Sequence, residues 1–158
     1  MSYDIKIDKS GNKHYYVNNV LHREDGPAIE YFDGTKHWLK NGNLHREKGP
    51  AIETPEGTEV WYKNGLFHRE DGPAIKYCDG EKHWYKNGKC HREGGPAIER
   101  LDGSKEWYKN GNRHREDGPA IEYTNGEKYW YLNGEFYGYN SNFTNESWKF
   151  FIKTIIFS

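Results

Sequence analysis

Apolar and polar positions along this chain recur with a step of 23 residues. Tryptophan keeps that step at Trp38, Trp61, Trp84, Trp107 and Trp130. A Gly-Pro-Ala-Ile run keeps it too, with its proline at Pro27, Pro50, Pro73, Pro96 and Pro119. No insertion or deletion disturbs the register over five units, so the chain is an internal repeat. One unit, His22–Leu44, reads HREDGPAIEYFDGTKHWLKNGNL. It holds two short stretches of strand-like alternation. The first is expected at about residues 27–32, with Ile29 and Tyr31 on one face and Glu30 on the other. The second is expected at about residues 36–40, centred on Trp38.

Turn residues punctuate these stretches. Asp33-Gly34 and its equivalents Glu56-Gly57, Asp79-Gly80, Asp102-Gly103 and Asn125-Gly126 predict a two-residue type I′ hairpin, which needs positive φ at both central residues. Asn41-Gly42, Asn64-Gly65, Asn87-Gly88, Asn110-Gly111 and Asn133-Gly134 close the second strand. Proline opening each first strand is tolerated because it need not donate there. The ends are partial units. Gly11–Asn19 matches the second half of a repeat, with Tyr15 in the tryptophan place. After Asn133 the pattern begins again, but Tyr137 replaces the histidine and no Gly-Pro follows. Atypical end units protect the ends of such an array.

From Thr144 the period changes. Trp148, Phe151, Ile152, Ile155 and Ile156 form a stripe at helical spacing, Thr144 or Asn145 can cap it, and Glu146 suits its first turn. A helix folded over the last hairpin is expected. A partner-binding or membrane-surface helix, or a final strand, are the alternatives.

Composition sharpens this picture. Apolar residues make up 34% of the chain and aromatics 16%, so a thin structure built on Tyr and Trp contacts is expected in place of a thick core. Eighteen glycines argue against long helices. The net charge of -1 leaves no basic face for nucleic acid. The two cysteines form no disulfide framework or metal motif, and Met1–Ser10 is polar. A cytoplasmic protein is therefore expected, touching a membrane only through the C-terminal helix. No apolar run approaches the ~20 residues of a membrane span.

Four sets of residues are candidates for chemistry. The first is the His-Arg ladder: His22-Arg23, His45-Arg46, His68-Arg69, His91-Arg92 and His114-Arg115. Equivalent histidines two strands apart lie about 10 Å from one another, too far to share a metal ion, so no metal or cofactor is expected. The arginines suit bridging between loops, or a surface row facing a periodic partner. The tryptophans suit stacking between hairpins as a structural core, or an exposed ladder for sugars or peptide. Tyr62, Tyr85, Tyr108 and Tyr131 lie beside them on the opposite face, and are the favoured exposed binding row. Catalysis would need a break in the repeat. Cys78 and Cys90 read as small core substitutes, and Lys48, Gly94, Arg100 and Arg113 as scattered surface variations. No P-loop, Gly-x-Ser-x-Gly or His-Glu-x-x-His motif occurs. The sequons at Asn142 and Asn145 read as incidental.

The 23-residue period, the tryptophan and the two glycine turns resemble MORN repeats over residues 11–138. The stretch His-Arg-x-x-Gly-Pro-Ala-Ile departs from the usual MORN pattern and is similar to a divergent class common in giant viruses and phages. The resemblance implies stacked hairpins in an elongated open sheet and a role in protein association, sometimes at membranes. It carries over no catalytic residues. The expected fold is thus all-β: an elongated, open array of antiparallel hairpins with a short capping helix. Residues 1–21 form an N-terminal cap and half repeat, 22–136 five repeats, and 137–158 a C-terminal cap. The expected function is a non-catalytic scaffold binding a protein partner or itself. The alternative is a carbohydrate or lipid-headgroup module using exposed aromatic rows.

Overall fold

A computed structural model describes residues 2–156. The chain is an open array of short antiparallel β-hairpins followed by one helix, Asn145–Ile156. It divides into two compact units. The first holds the residues up to Asp79 together with Tyr85–Gly88, and the second holds Gly80–Trp84 with the residues from Lys89 onward.

In the first unit the main ladder runs through Asp4–Ile7, Lys13–Val17, Ile29–Glu30, Lys36–His37, Ile52–Glu53, Glu59–Val60 and Ile75–Lys76. In the second it runs through Lys82–His83, Ile98–Glu99, Lys105–Glu106, Ile121–Glu122, Lys128–Leu132 and Glu135–Tyr139.

The second strand expected in each repeat is broken at its tryptophan in the first four repeats, whereas in the fifth Lys128–Leu132 runs through Trp130 as one strand. Lys36–His37 stays in the main ladder, whereas Leu39–Lys40 pairs with Asn43–Leu44 as a separate ribbon. Tyr62–Lys63 pairs with Leu66–Phe67 in the same way, as does Tyr108–Lys109 with Asn112–Arg113. The cause lies in the tryptophan backbone. The N–H of Trp38 donates to Ala51 at 2.8 Å in the next repeat, and its carbonyl accepts from His45 at 3.0 Å. One peptide group therefore serves the ladder and the next serves the ribbon, and the chain bends between them.

The two turns also divide their geometry differently from the expectation. Both residues of Asn41-Gly42 have positive φ, 51° and 78°, as a type I′ turn requires. At Asp33-Gly34 only the glycine does. Gly34 donates to Tyr31 at 3.0 Å and Tyr31 donates to Thr35 at 2.9 Å, so the loop is the three-residue Phe32-Asp33-Gly34 with glycine at the bulge. Asp33 stabilises it by accepting the Thr35 N–H at 2.8 Å.

Alanine supplies the fully buried column. Ala28, Ala51 and Ala74 in the first unit, and Ala97 and Ala120 in the second, are 0% exposed, flanked by isoleucines. Of the five repeat tryptophans, those at 38, 61, 84 and 107 are half-buried and Trp130 is enclosed. Cys78 does not replace a core residue. It sits exposed at the tip of the Asp-Gly loop, where Phe32 and Leu101 are also exposed, so apolar identity there gave a false core signal. Cys90 is half-buried, and burial, with the nearby charge of Glu106, pushes its thiol up to about 12.

Thr144 caps the helix. Its Oγ1 accepts from the Ser147 N–H at 3.1 Å, while Ser147 Oγ accepts from the Thr144 N–H at 2.9 Å. Trp148 and Ile152 pack on Trp130 and Leu132, with Tyr137, Phe143 and Phe151 around them. Of the remaining stripe, Ile155 is exposed and the side chain of Ile156 lies outside the described residues. Among the described residues no helix is long and apolar enough to cross a membrane.

Candidate binding face

The His-Arg loop builds the most regular surface of the molecule. Each arginine lays its guanidinium over an aromatic ring: Arg23 over Tyr15, Arg46 over Trp38, Arg69 over Trp61, Arg92 over Trp84 and Arg115 over Trp107, at 3.7–4.0 Å from the centroid. The same guanidinium donates to the proline carbonyl four residues on. It also pairs with Glu30, Glu53, Glu99 or Glu122 in four of the units, at 2.6–2.8 Å. Where Lys76 replaces that glutamate, Arg69 pairs with Asp71 at 2.8 Å. Asp25, Asp71 and Asp117 are held below the usual carboxylate range by their arginines, so these pairs are formed at neutral pH and are lost as acidification reaches those lowered values. The glycine of Gly-Pro clears the space. A Cβ at Gly26 would stand 2.8 Å from the Arg23 guanidinium carbon.

The histidines are equally fixed. Nδ1 of His22, His45, His68, His91 and His114 accepts the N–H of the asparagine 19 residues on, at 3.1–3.2 Å. At His22 and His114 the same Nδ1 also lies 2.9 and 2.8 Å from the Oδ1 of that asparagine. From Nε2 the ring faces a glutamate two residues on, at 2.9 Å for Glu47 and 3.2 Å for Glu70 and Glu116. Histidine thus ties one loop to the Asn-Gly turn of the next ribbon.

The tyrosines hold the loops through their backbones. The carbonyls of Tyr62, Tyr85, Tyr108 and Tyr131 accept the N–H of Arg46, Arg69, Arg92 and Arg115. Their rings are half-buried, like the tryptophans. Tyr62, Phe67 and Tyr85 stack at 4.5 and 5.0 Å between centroids.

Between successive loops lie open grooves. One, of about 640 Å³, has Trp38 as its floor, Arg23–Pro27 and His45–Lys48 as its walls, and Lys40 at its rim. A second, of about 490 Å³, has Trp61 as floor and includes Tyr62 and Lys63. In the other unit a third, of about 490 Å³, has Trp107 as floor with Tyr108 and Lys109. The structure therefore brings the His-Arg loops, the tryptophans and two of the tyrosines into shared grooves. Each offers an indole capped by its arginine between charged rims, suited to an aromatic or apolar group with polar flanks.

Sequence reasoning passed over Lys40, Lys63 and Lys109 at these rims, although they share the 23-residue step. It also treated Arg100 and Arg113 as unrelated surface changes. Both converge on Glu106, which is 1% exposed. Arg100 donates to one carboxylate oxygen, and Arg113 (3.3 Å) and the Tyr108 hydroxyl (3.0 Å) to the other. Burial pushes the Glu106 carboxyl up, but the hydrogen bonds from Arg100 and Tyr108 and the arginine charges outweigh it and hold it low. Burial and Glu106 push Tyr108 up to about 12. The cluster is closed on itself. Among the described residues no group of three or more His, Cys, Asp or Glu is arranged to hold a metal ion.

No family model matches the chain, and no curated protein matches it.

Proposed function

We propose that the chain is a non-catalytic repeat scaffold that binds protein along its tryptophan-floored face, in the manner of the divergent MORN-like class its repeat resembles. The observation that carries this reading is the recurrence of one groove design whose arginines and histidine Nδ1 atoms are already held by internal partners. The arginines and histidines are committed to internal partners in every repeat, so they are held as rigid walls. What the arginines leave uncovered of the half-buried tryptophans remains as contact area. Aromatic area between rigid polar walls favours recognition.

The test compares two charge reversals in the full chain. Lys40→Glu, Lys63→Glu and Lys109→Glu together invert the groove rims without touching the Arg–Trp stacks. Lys9→Glu, Lys89→Glu and Lys128→Glu invert the same charge at exposed positions that line none of these grooves. Proteins captured by the unaltered chain from cell extract are expected to be lost by the groove variant and kept by the control. Equal capture by both variants would contradict the reading. Binding to glycans or anionic vesicles in place of protein, lost only in the groove variant, would move the face to the carbohydrate or lipid-headgroup class.

A further inference from the structure

The C-terminal helix shows what fills a groove of this kind. Carried forward by 23 residues, the groove built on Arg92–Pro96, Trp107, Lys109 and His114-Arg115 falls on Arg115–Pro119, Trp130, Leu132 and Tyr137-Gly138. In that last position it is occupied. The Trp148 indole lies against Tyr137 at 5.6 Å between centroids, and its Nε1–H donates to the Arg115 carbonyl at 3.0 Å. Phe143 stands over Trp130 at 5.9 Å, on the ring that an arginine covers in the other repeats. Gly118, Pro119, Trp130 and Leu132 are all buried there, whereas Gly95, Pro96 and Trp107 are half-buried and Lys109 is exposed. Gly26, Pro27, Trp38 and Lys40 match the open set.

We infer that the open grooves over Trp38, Trp61 and Trp107 are docking sites for an amphipathic helix of a partner protein, which seats a tryptophan as Trp148 seats itself. The indole N–H meets the arginine carbonyl of the loop, and apolar groups three and four residues on cover the floor, as Phe151 and Ile152 do. The partner differs from the chain's own helix at the rim. Leu132 and Tyr137 make the filled groove apolar, while Lys40 and His45 keep the open one polar, so the partner carries polar or acidic residues beside its aromatic anchor. The inference rests on the protein-binding reading above and adds the form of the occupant.

A dye-labelled peptide with the sequence of residues 143–155 serves as probe for the full chain, read by fluorescence anisotropy. Lys40→Leu with His45→Tyr and Arg46→Gly copies the filled groove onto the Trp38 site. Lys109→Leu with His114→Tyr and Arg115→Gly does so in the other unit, should the first set fail to fold. Either set is expected to tighten peptide binding by about tenfold, the effect of burying one leucine side chain. The inference is overturned if both folded variants bind no better than the unaltered chain. It is equally overturned if binding appears only once Trp148→Ala empties the terminal groove. Failure here with continued loss of captured proteins in the rim variant would leave the protein-binding face intact and remove only its helical occupant.

Discussion

Replacing Trp148 with alanine is expected to destabilise the C-terminal end of the array by about 3–5 kcal/mol, the range for emptying a fully buried aromatic site. Trp148 is 0% exposed and contacts Trp130, Leu132 and Ile152, so the cavity would be lined by rigid neighbours that collapse poorly. The hydrogen bond to the Arg115 carbonyl is lost as well. Neighbour-to-neighbour contacts dominate a repeat array, so the loss should stay local. Thermal melts followed at 222 nm should show the helical signal leaving first, while amide exchange in the upstream ladder is unchanged. Phe150, which is 71% exposed on the same helix, is the control, and its alanine variant should lie within about 0.5 kcal/mol of the parent. A cost below about 1 kcal/mol for Trp148→Ala would mean that the helix does not cover the last groove.

The second large effect is expected at an arginine of the ladder. Arg92 donates to the Pro96 carbonyl at 2.9 Å and to Glu99 at 2.7 Å, and lies 3.7 Å from the Trp84 ring centroid. Hydrogen bonds to charged groups and a partly desolvated cation–π contact together put Arg92→Ala at about 2–4 kcal/mol, measured by urea unfolding. The carboxylate of Glu99 stays one-third exposed and can rehydrate, which keeps the cost below that of a fully buried ion. Lysine should restore less than half. A point charge on a flexible stem cannot stack on the indole and fork to two acceptors at once. Full rescue by lysine would show that only the charge matters and that the stack contributes nothing.

Much of this architecture was legible in the chain because the repeat fixes what single segments leave ambiguous. The turn residues mark every hairpin, and Thr144 with the Trp148–Ile152 spacing marks the helix. Three features were not legible, each for a physical reason. The bend at Trp38 leaves alternation unchanged, since it reroutes backbone hydrogen bonds without altering which residues are apolar. The three-residue Asp-Gly loop looks like a two-residue hairpin because only φ at the aspartate tells them apart. The Glu106 cluster joins Arg100 six positions away across the Asp-Gly loop and Arg113 seven positions away across the bend at Trp107, so the two arginines read as independent surface changes. The filled groove left a fainter trace. Leu132, Tyr137 and Gly138 replace the Lys, His and Arg of the repeat in one stroke, and together they announce an apolar occupant.

The central claim is that one groove is closed by the chain's own helix while equivalent tryptophans stay open to a partner. Hydrogen exchange of the six indole N–H groups, followed in a nitrogen-15 spectrum of the full chain, tests it most directly. Slow exchange at Trp130 and Trp148 with fast exchange at Trp38, Trp61, Trp84 and Trp107 is the expected result. Slow exchange at all six, or fast exchange at Trp148 along with the other four, would contradict the account.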